Sequence, residues 1–177
     1  MTNPWNAPKG FSHQLINLYI DVKDGGRTDT YAEGARVSFS SEYPWDYFIK
    51  IAGWPSYGQL FATADGEEIP DVLQVEADPG EKIINVIVSK TALGSFNQMA
   101  LYVLSGSQDG YGPDNFRAVT PEPTEWTLGG YPLDAGDFAP FVLDIIVPEG
   151  VTQEEVLSSY DKNSEKFATL VPVIIDF

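Results

Sequence analysis

The sequence contains no cysteine and a single histidine, His13. Without cysteine the chain can form no disulfide, no zinc–thiolate site and no thiol nucleophile. One histidine excludes a histidine-based metal cluster. A Ser–His–Asp triad could be built only on His13, which lies in a strand-like stretch and is better explained as a polar residue on the solvent side of a strand.

Basic residues are also scarce. Ten Lys and Arg stand against 26 Asp and Glu, giving a formal net charge of −16. This balance argues against nucleic acid as a partner, because phosphate binding needs a basic face. It fits a self-repelling protein with carboxylates to spare for Ca²⁺. Long apolar runs are missing as well, since no stretch reaches membrane-spanning length.

Apolar residues, glycine and proline are plentiful. Of the 177 residues, 43% are hydrophobic and 13% aromatic, with 16 glycines and 13 prolines scattered between short apolar runs. This pattern is typical of a folded chain with many strands and turns. We predict one all-β domain over residues 1–177, an antiparallel sandwich. The predicted strands are 11–21, 35–39, 46–53, 59–64, 72–76, 82–88, 99–104, 141–147 and 170–175, with a hairpin turn at 77–81.

Helix is predicted in only two places. Residues 89–94 could form one turn that ends at Gly94. Thr152 and Glu155 have the spacing of a capping box, which predicts a short helix to about Tyr160. Residues 119–138 hold many prolines and glycines and should form an ordered but irregular excursion.

The loop 106–117, directly after a buried strand, is rich in functional groups. Its glycines and proline allow turns that other residues resist. Its carboxylates, amides, rings and guanidinium could hold a hard cation or bind a sugar. They could equally cap the backbone of an ordinary surface turn. The residues concerned are Gln108, Asp109, Tyr111, Asp114 and Arg117.

Aromatic residues concentrate where turns are predicted. Sugars stack their C–H faces on flat rings, while amides and carboxylates bind their hydroxyls. Trp54, between Gly53 and Pro55 at a strand end, is the main candidate for stacking. Gln108, Asp109 and Arg117 would orient the ligand. The alternative is that these large rings are partly buried and fill the two ends of the sandwich core. The predicted carbohydrate-binding residues are Trp45, Trp54, Tyr57, Gln108, Tyr111, Arg117 and Trp126.

Two acidic turns are candidates for a structural calcium ion. One holds Asp21, Asp24 and Asp29; the other holds Asp109 and Asp114. Neither has the residue order of an EF-hand loop, so the prediction rests on composition. No catalytic residue is predicted: a glycosidase needs two opposed carboxylates, and among 26 acids a pair can always be chosen.

Several strings in the chain resemble a known family. Residues 10–21, followed by 25–29, look like the C-terminal domain of glucodextranase and the equivalent domain of archaeal amylopullulanases. The resemblance implies an immunoglobulin-like β-sandwich related to family 9 carbohydrate-binding modules and to DOMON domains. It also implies an extracellular or cell-surface, non-catalytic role beside a glucan-degrading catalytic domain. It continues through residues 44–47, 53–54, 106–113, 139–140, 148–150 and 153–154.

The chain departs from that family at its start. Such domains usually carry an upstream stretch that supplies the first strands, and this sequence begins after it, at Asn3–Pro4–Trp5. A sandwich without those strands would expose unpaired edges. We therefore expect a fragment, or a second copy or an upstream chain that fills the gap.

The sequence thus predicts a non-catalytic module that binds carbohydrate or a cell surface. The expected ligand is an α-glucan such as starch, pullulan or maltodextrin, or a cell-surface glycan. Two alternatives stay open: a structural spacer or protein-interaction domain beside a catalytic domain, and a small β-sandwich glycoside hydrolase.

Overall fold

The architecture is a β-sandwich built around one large sheet. The structure, a computed structural model, describes residues 14–31, 34–53, 56–63, 66–78, 80–108, 115–131 and 136–177. The strands in these ranges are β1 (Gln14–Asp21), β2 (Val37–Phe39), β3 (Tyr47–Gly53), β4 (Ser56–Ala62), β5 (Leu73–Asp78), β6 (Ile83–Val88), β7 (Gln98–Ser107), β8 (Val119–Thr120), β9 (Leu128–Gly129), β10 (Asp144–Ile145), β11 (Ala168–Leu170) and β12 (Val173–Asp176). The helices are α1 (Lys90–Leu93) and α2 (Gln153–Leu157).

The large sheet has the strand order β10-β7-β1-β3-β4, and β12 also pairs with β7. Its pairings are antiparallel. Every residue of β3 is buried, because both faces of the sheet are covered and its strands therefore need apolar side chains on both sides. The sheet is the rigid frame from which the loops extend.

One face of the sheet carries a core dominated by aromatic rings. Tyr19 lies 4.4 Å from Phe39 and 4.8 Å from Phe48, measured between ring centroids. Side chains from β2, β11 and α2 complete this core, and β2 and β11 pair with each other in parallel. Pairs of rings in such tilted and edge-on contacts add to the stabilisation from burial alone.

The opposite face is covered by the antiparallel hairpin of β5 and β6 and by α1. Its core is aliphatic, with Ile49, Ile51 and Leu60 from the sheet against Val75 from the hairpin. Gly58 lets the hairpin approach β4 closely, since a Cβ there would overlap the side chains of Leu73 and Val75.

Strands β1 and β12 occupy opposite edges of β7. Ala100 and Leu101 each pair with both strands, and both pairings are antiparallel. It follows that β1 and β12 run in the same direction, one on each side of β7. Val171 and Pro172 separate β11 from β12, and the chain passes from one sheet to another between these strands. The predicted single strand 170–175 is therefore wrong. Proline interrupts it because proline has no N–H group to donate to a neighbouring strand.

The prediction of an all-β sandwich with one or two short helices is confirmed. The predicted hairpin is β5–β6, and the predicted capping box is present at α2, which ends at Leu157 rather than near Tyr160. Two short parallel pairs, β2–β11 and β8–β9, were not expected. Only two residues of the predicted strand 141–147 pair as a strand.

Candidate functional site

The two ends of the loop 106–117 are fastened to each other. Gln108 forms a β-bridge with Phe116. The backbone N–H of Arg117 donates to Ser107 O at 2.6 Å, and its Nε donates to Gln108 O at 3.1 Å. The predicted residues Asp109, Tyr111 and Asp114 lie between these ends, outside the described residues. Arg117 therefore joins the end of the loop to its start, through its backbone N–H and its guanidinium.

Gly106 allows Phe116, near the end of the loop, to pack closely against β7. The ring of Phe116 lies directly over Gly106, where a Cβ would overlap two of its carbons. Phe116 is buried in the aromatic core. Glycine is required at position 106 because the ring occupies the space that any side chain would take.

The Gln108 side chain is buried, and its Nε2 has no hydrogen-bond partner in the part of the chain that the structure describes. A buried amide without a partner costs free energy unless a bound molecule or water pairs with it. The backbone oxygen of Gln108 is already used by Arg117. The Nε2 group thus offers two unpaired N–H donors at the first residue of the closing bridge.

Trp126 is displayed on a turn held by threonine hydroxyls. The Oγ1 of Thr124 accepts from the N–H groups of Trp126 and Thr127, at 3.2 and 3.1 Å. Thr120 Oγ1 donates to Thr127 Oγ1 at 2.9 Å and ties this turn to β8. The Trp126 side chain is 57% exposed, so a large ring is presented to solvent on a fixed backbone.

Trp45 occupies a different environment from the one predicted. The residue is completely buried, its Nε1 donates to Asp29 O at 2.8 Å, and its ring packs edge-on against Tyr19. A buried ring offers no face to a sugar, so the structure separates Trp45 from the surface candidates. Trp54 lies outside the described residues, as does the side chain of Tyr57 in β4.

The acidic turn after β1 does not gather its three carboxylates. Asp29 binds Arg27 in a two-point ion pair, at 2.9 and 2.6 Å, which lowers the pKa of the Asp29 carboxyl. Among the residues that the structure describes, no three acidic or histidine side chains lie close enough together to hold a metal ion. Calcium at Asp21, Asp24 or Asp29, or at the undescribed pair Asp109 and Asp114, stays a prediction.

Asp46, which sequence reasoning missed, is the central carboxylate of this region. It is 1% exposed, and its Oδ2 accepts from the N–H groups of Val22 and Lys23 at 2.9 and 3.0 Å. Its Oδ1 is buried with no hydrogen-bond partner among the residues described. Burial, followed by the charge of Asp46, raises the pKa of Asp21 to about 6. The available signal was a polar residue just before a mostly apolar strand, in the string Pro44–Trp45–Asp46–Tyr47.

Comparison with known proteins decides the family. The family described as the C-terminal, SLH-like binding module of glucodextranase matches residues 1–172. The chain belongs to this family. A search of curated proteins finds no match. Membership indicates a binding or attachment module of the accessory, non-catalytic kind, with carbohydrate or a cell surface as the general class of partner.

None of the helices in the described part of the module is long and apolar enough to span a membrane.

An acidic cleft of about 480 Å³ opens beside the Asp21 turn of the module. Its lining includes three carboxylates and two amides: Asp21, Asp24, Glu42, Asn97 and Gln98. Carboxylates and amides together can bind sugar hydroxyls. Within the described residues, Trp126 does not line this cleft, so the predicted binding residues are not brought together in it.

Proposed function

We propose that this module binds a neutral polysaccharide through exposed aromatic rings and has no catalytic activity of its own. The preferred ligand is an α-glucan, as in starch or pullulan; a cell-surface glycan has the same chemistry. The observation that carries the proposal is the exposed indole of Trp126 on its threonine-bonded turn, in a chain that belongs to a family of binding modules.

A fixed, exposed tryptophan is suited to sugar binding for two reasons. Its face gains contact with the C–H groups of a sugar ring. Its turn is already ordered by the hydroxyls of Thr120 and Thr124, so little conformational entropy is lost when the ligand arrives. Trp54 and Tyr111 are proposed as further stacking residues, with Gln108 and Arg117 as polar partners.

The benefit of such a module is proximity. In the proposed arrangement it stands beside a glucan-degrading catalytic domain, outside the cell or on its surface. Tethering that domain to an insoluble polymer raises the effective concentration of substrate without any new contact in the active site.

Native affinity electrophoresis tests the proposal. Gels containing pullulan or soluble starch should slow the protein relative to a gel without glycan, and Trp126→Ala should reduce that retardation. Phe177→Ala is the matched control, because Phe177 is also exposed, at 71%, and packs only against Phe96 among the ring contacts of the described residues. Unchanged mobility of the wild-type protein in every gel would favour a spacer. Release of reducing ends from pullulan by rigorously purified protein would instead show a hydrolase.

A further inference from the structure

We propose a second sugar-binding surface, formed by Arg36, Asp137, Phe138, Phe141 and Phe167 and called here the Arg36 face. None of these residues is among the candidates that the sequence predicted. The inference rests on the proposed function, because the ligand is again a neutral polysaccharide chain, and it assigns that ligand a second point of attachment.

The fold brings these residues together from three places. Arg36 directly precedes β2 and Phe167 directly precedes β11, and these strands pair in parallel from Val37 and Ala168 onward. The segment 136–143 runs beside them, fastened by the hydrogen bond from the Phe141 N–H to Ala35 O at 3.1 Å. The surface therefore lies on ordered backbone.

The Arg36 guanidinium lies over the Phe141 ring and keeps unpaired hydrogen-bond donors among the described residues. Its central carbon lies 4.0 Å from the centroid of the Phe141 ring, and the nearest Asp137 oxygen is 3.9 Å from its Nη1. At that separation the Asp137 contact is an ion pair rather than a hydrogen bond. Within the described residues no hydrogen bond is seen from the Arg36 side chain, which is 30% exposed, so guanidinium N–H donors remain for a ligand.

The backbone of Arg36 is an outlier. Its φ is +54°, a left-handed conformation that costs energy in a residue with a side chain. Glycine would adopt it without strain. In this backbone conformation arginine is therefore less favourable than glycine. A glycine here would relieve the strain but would lack the guanidinium.

Two phenylalanines supply the apolar part of the surface. Phe167 is 40% exposed, and its ring centroid lies 5.2 Å from that of Phe138. On the same outward side of the strand pair, Ser38 Oγ and Thr169 Oγ1 lie 3.0 Å apart. A ring for stacking, a guanidinium, an exposed carboxylate and two hydroxyls make up the set of groups that recognises a sugar.

Charge favours a neutral ligand over an acidic one. Arg36 stands beside the exposed carboxylate of Asp137, so donors and acceptors for sugar hydroxyls are both at hand. The whole chain carries a formal charge of −16 and repels polyanions over a distance of about a Debye length.

The decisive variant is Arg36→Gly, which removes the guanidinium at a position whose backbone suits glycine. We expect it to fold, with a melting temperature close to that of the wild type, and to weaken the apparent affinity for pullulan and soluble starch in affinity gels by roughly tenfold. Phe167→Ala should act in the same direction. Phe177→Ala again serves as the exposed-ring control, with affinity unchanged.

The outcomes separate this inference from the proposed function. If Trp126→Ala loses retardation while Arg36→Gly and Phe167→Ala keep it in full, the Arg36 face is not a binding surface and the proposed function stands. If both Arg36-face variants lose retardation and the control does not, the inference holds. Wild-type protein that is retarded by neither pullulan nor starch would overturn both.

Discussion

At the level of single residues, the contact between Asp21 and Asp46 makes stability depend on pH. Asp46 Oδ2 accepts from the backbone N–H groups of Val22 and Lys23, and its Oδ1 is buried with no hydrogen-bond donor among the described residues. A protonated Asp21 can supply that donor. Burial of the Asp21 carboxyl, followed by its interaction with Asp46, raises the pKa of Asp21 in the folded state to about 6, from an ordinary value of 3.8.

Because the folded protein holds this proton more tightly than the unfolded chain, the stabilisation is fully present below pH about 4 and is lost as the pH rises through 6. As the pH falls from about 7.5 to about 5, we expect the free energy of unfolding of the wild type to rise by about 1 kcal/mol relative to that of Asp21→Asn. The partial exposure of Asp21 reduces the effect from its full size. Urea unfolding with EDTA present, to remove cations, measures it. Parallel pH profiles for the two proteins would contradict the prediction.

At the level of elements, the five-residue helix α2 depends on its cap. The N–H of Glu155 donates to Thr152 Oγ1 at 3.2 Å, and the Glu155 carboxylate accepts from the Thr152 N–H at 3.0 Å. Thr152→Ala should lower the free energy of unfolding by about 1 kcal/mol. Chemical denaturation measures this, with Glu149→Ala as an exposed control that should have no effect. An equal loss in both variants would show that the cap is unimportant.

The loop 106–117 depends in the same way on one glycine. In Gly106→Ala, the new methyl group overlaps the buried Phe116 ring. Either the ring or β7 must move to make room for it. We expect a loss of about 1–3 kcal/mol in stability. Gly80→Ala is the matched control, since among the described residues its Cβ would meet only the end of the flexible Asp78 side chain, at 3.2 Å. Wild-type stability in Gly106→Ala would mean that the ring does not anchor the loop.

Local patterns predicted some elements well and others poorly. The helix α2 and the hairpin β5–β6 were predictable because a capping box and a short polar turn act between neighbouring residues. The burial of Trp45 and the role of Asp46 were not, since both depend on partners distant in sequence, Asp29 and Val22. The Arg36 face could not be predicted at all, because its members come from three separated segments.

At the level of the whole molecule, the excess of 16 negative charges distinguishes neutral from charged ligands. Binding of a neutral glucan should be almost independent of salt concentration, because the complex contains no ion pairs between protein and ligand for salt to screen. Sedimentation with insoluble starch granules at about 0.05 M and about 0.5 M NaCl should give dissociation constants within roughly twofold of each other. A steep dependence on salt would indicate an ionic ligand instead.

The placement of β1 and β12 on the two edges of β7 has a mechanical consequence. Gln14 of β1 pairs with Ser107 at one end of β7, and Asp176 of β12 pairs with Gln98 at the other end. A pull applied between the start of β1 and the end of β12 therefore slides both strands along β7, so that the ladder hydrogen bonds share the load and do not open one at a time. An attachment module loaded between these two points would resist tension far better than a sheet loaded so that its strands peel apart.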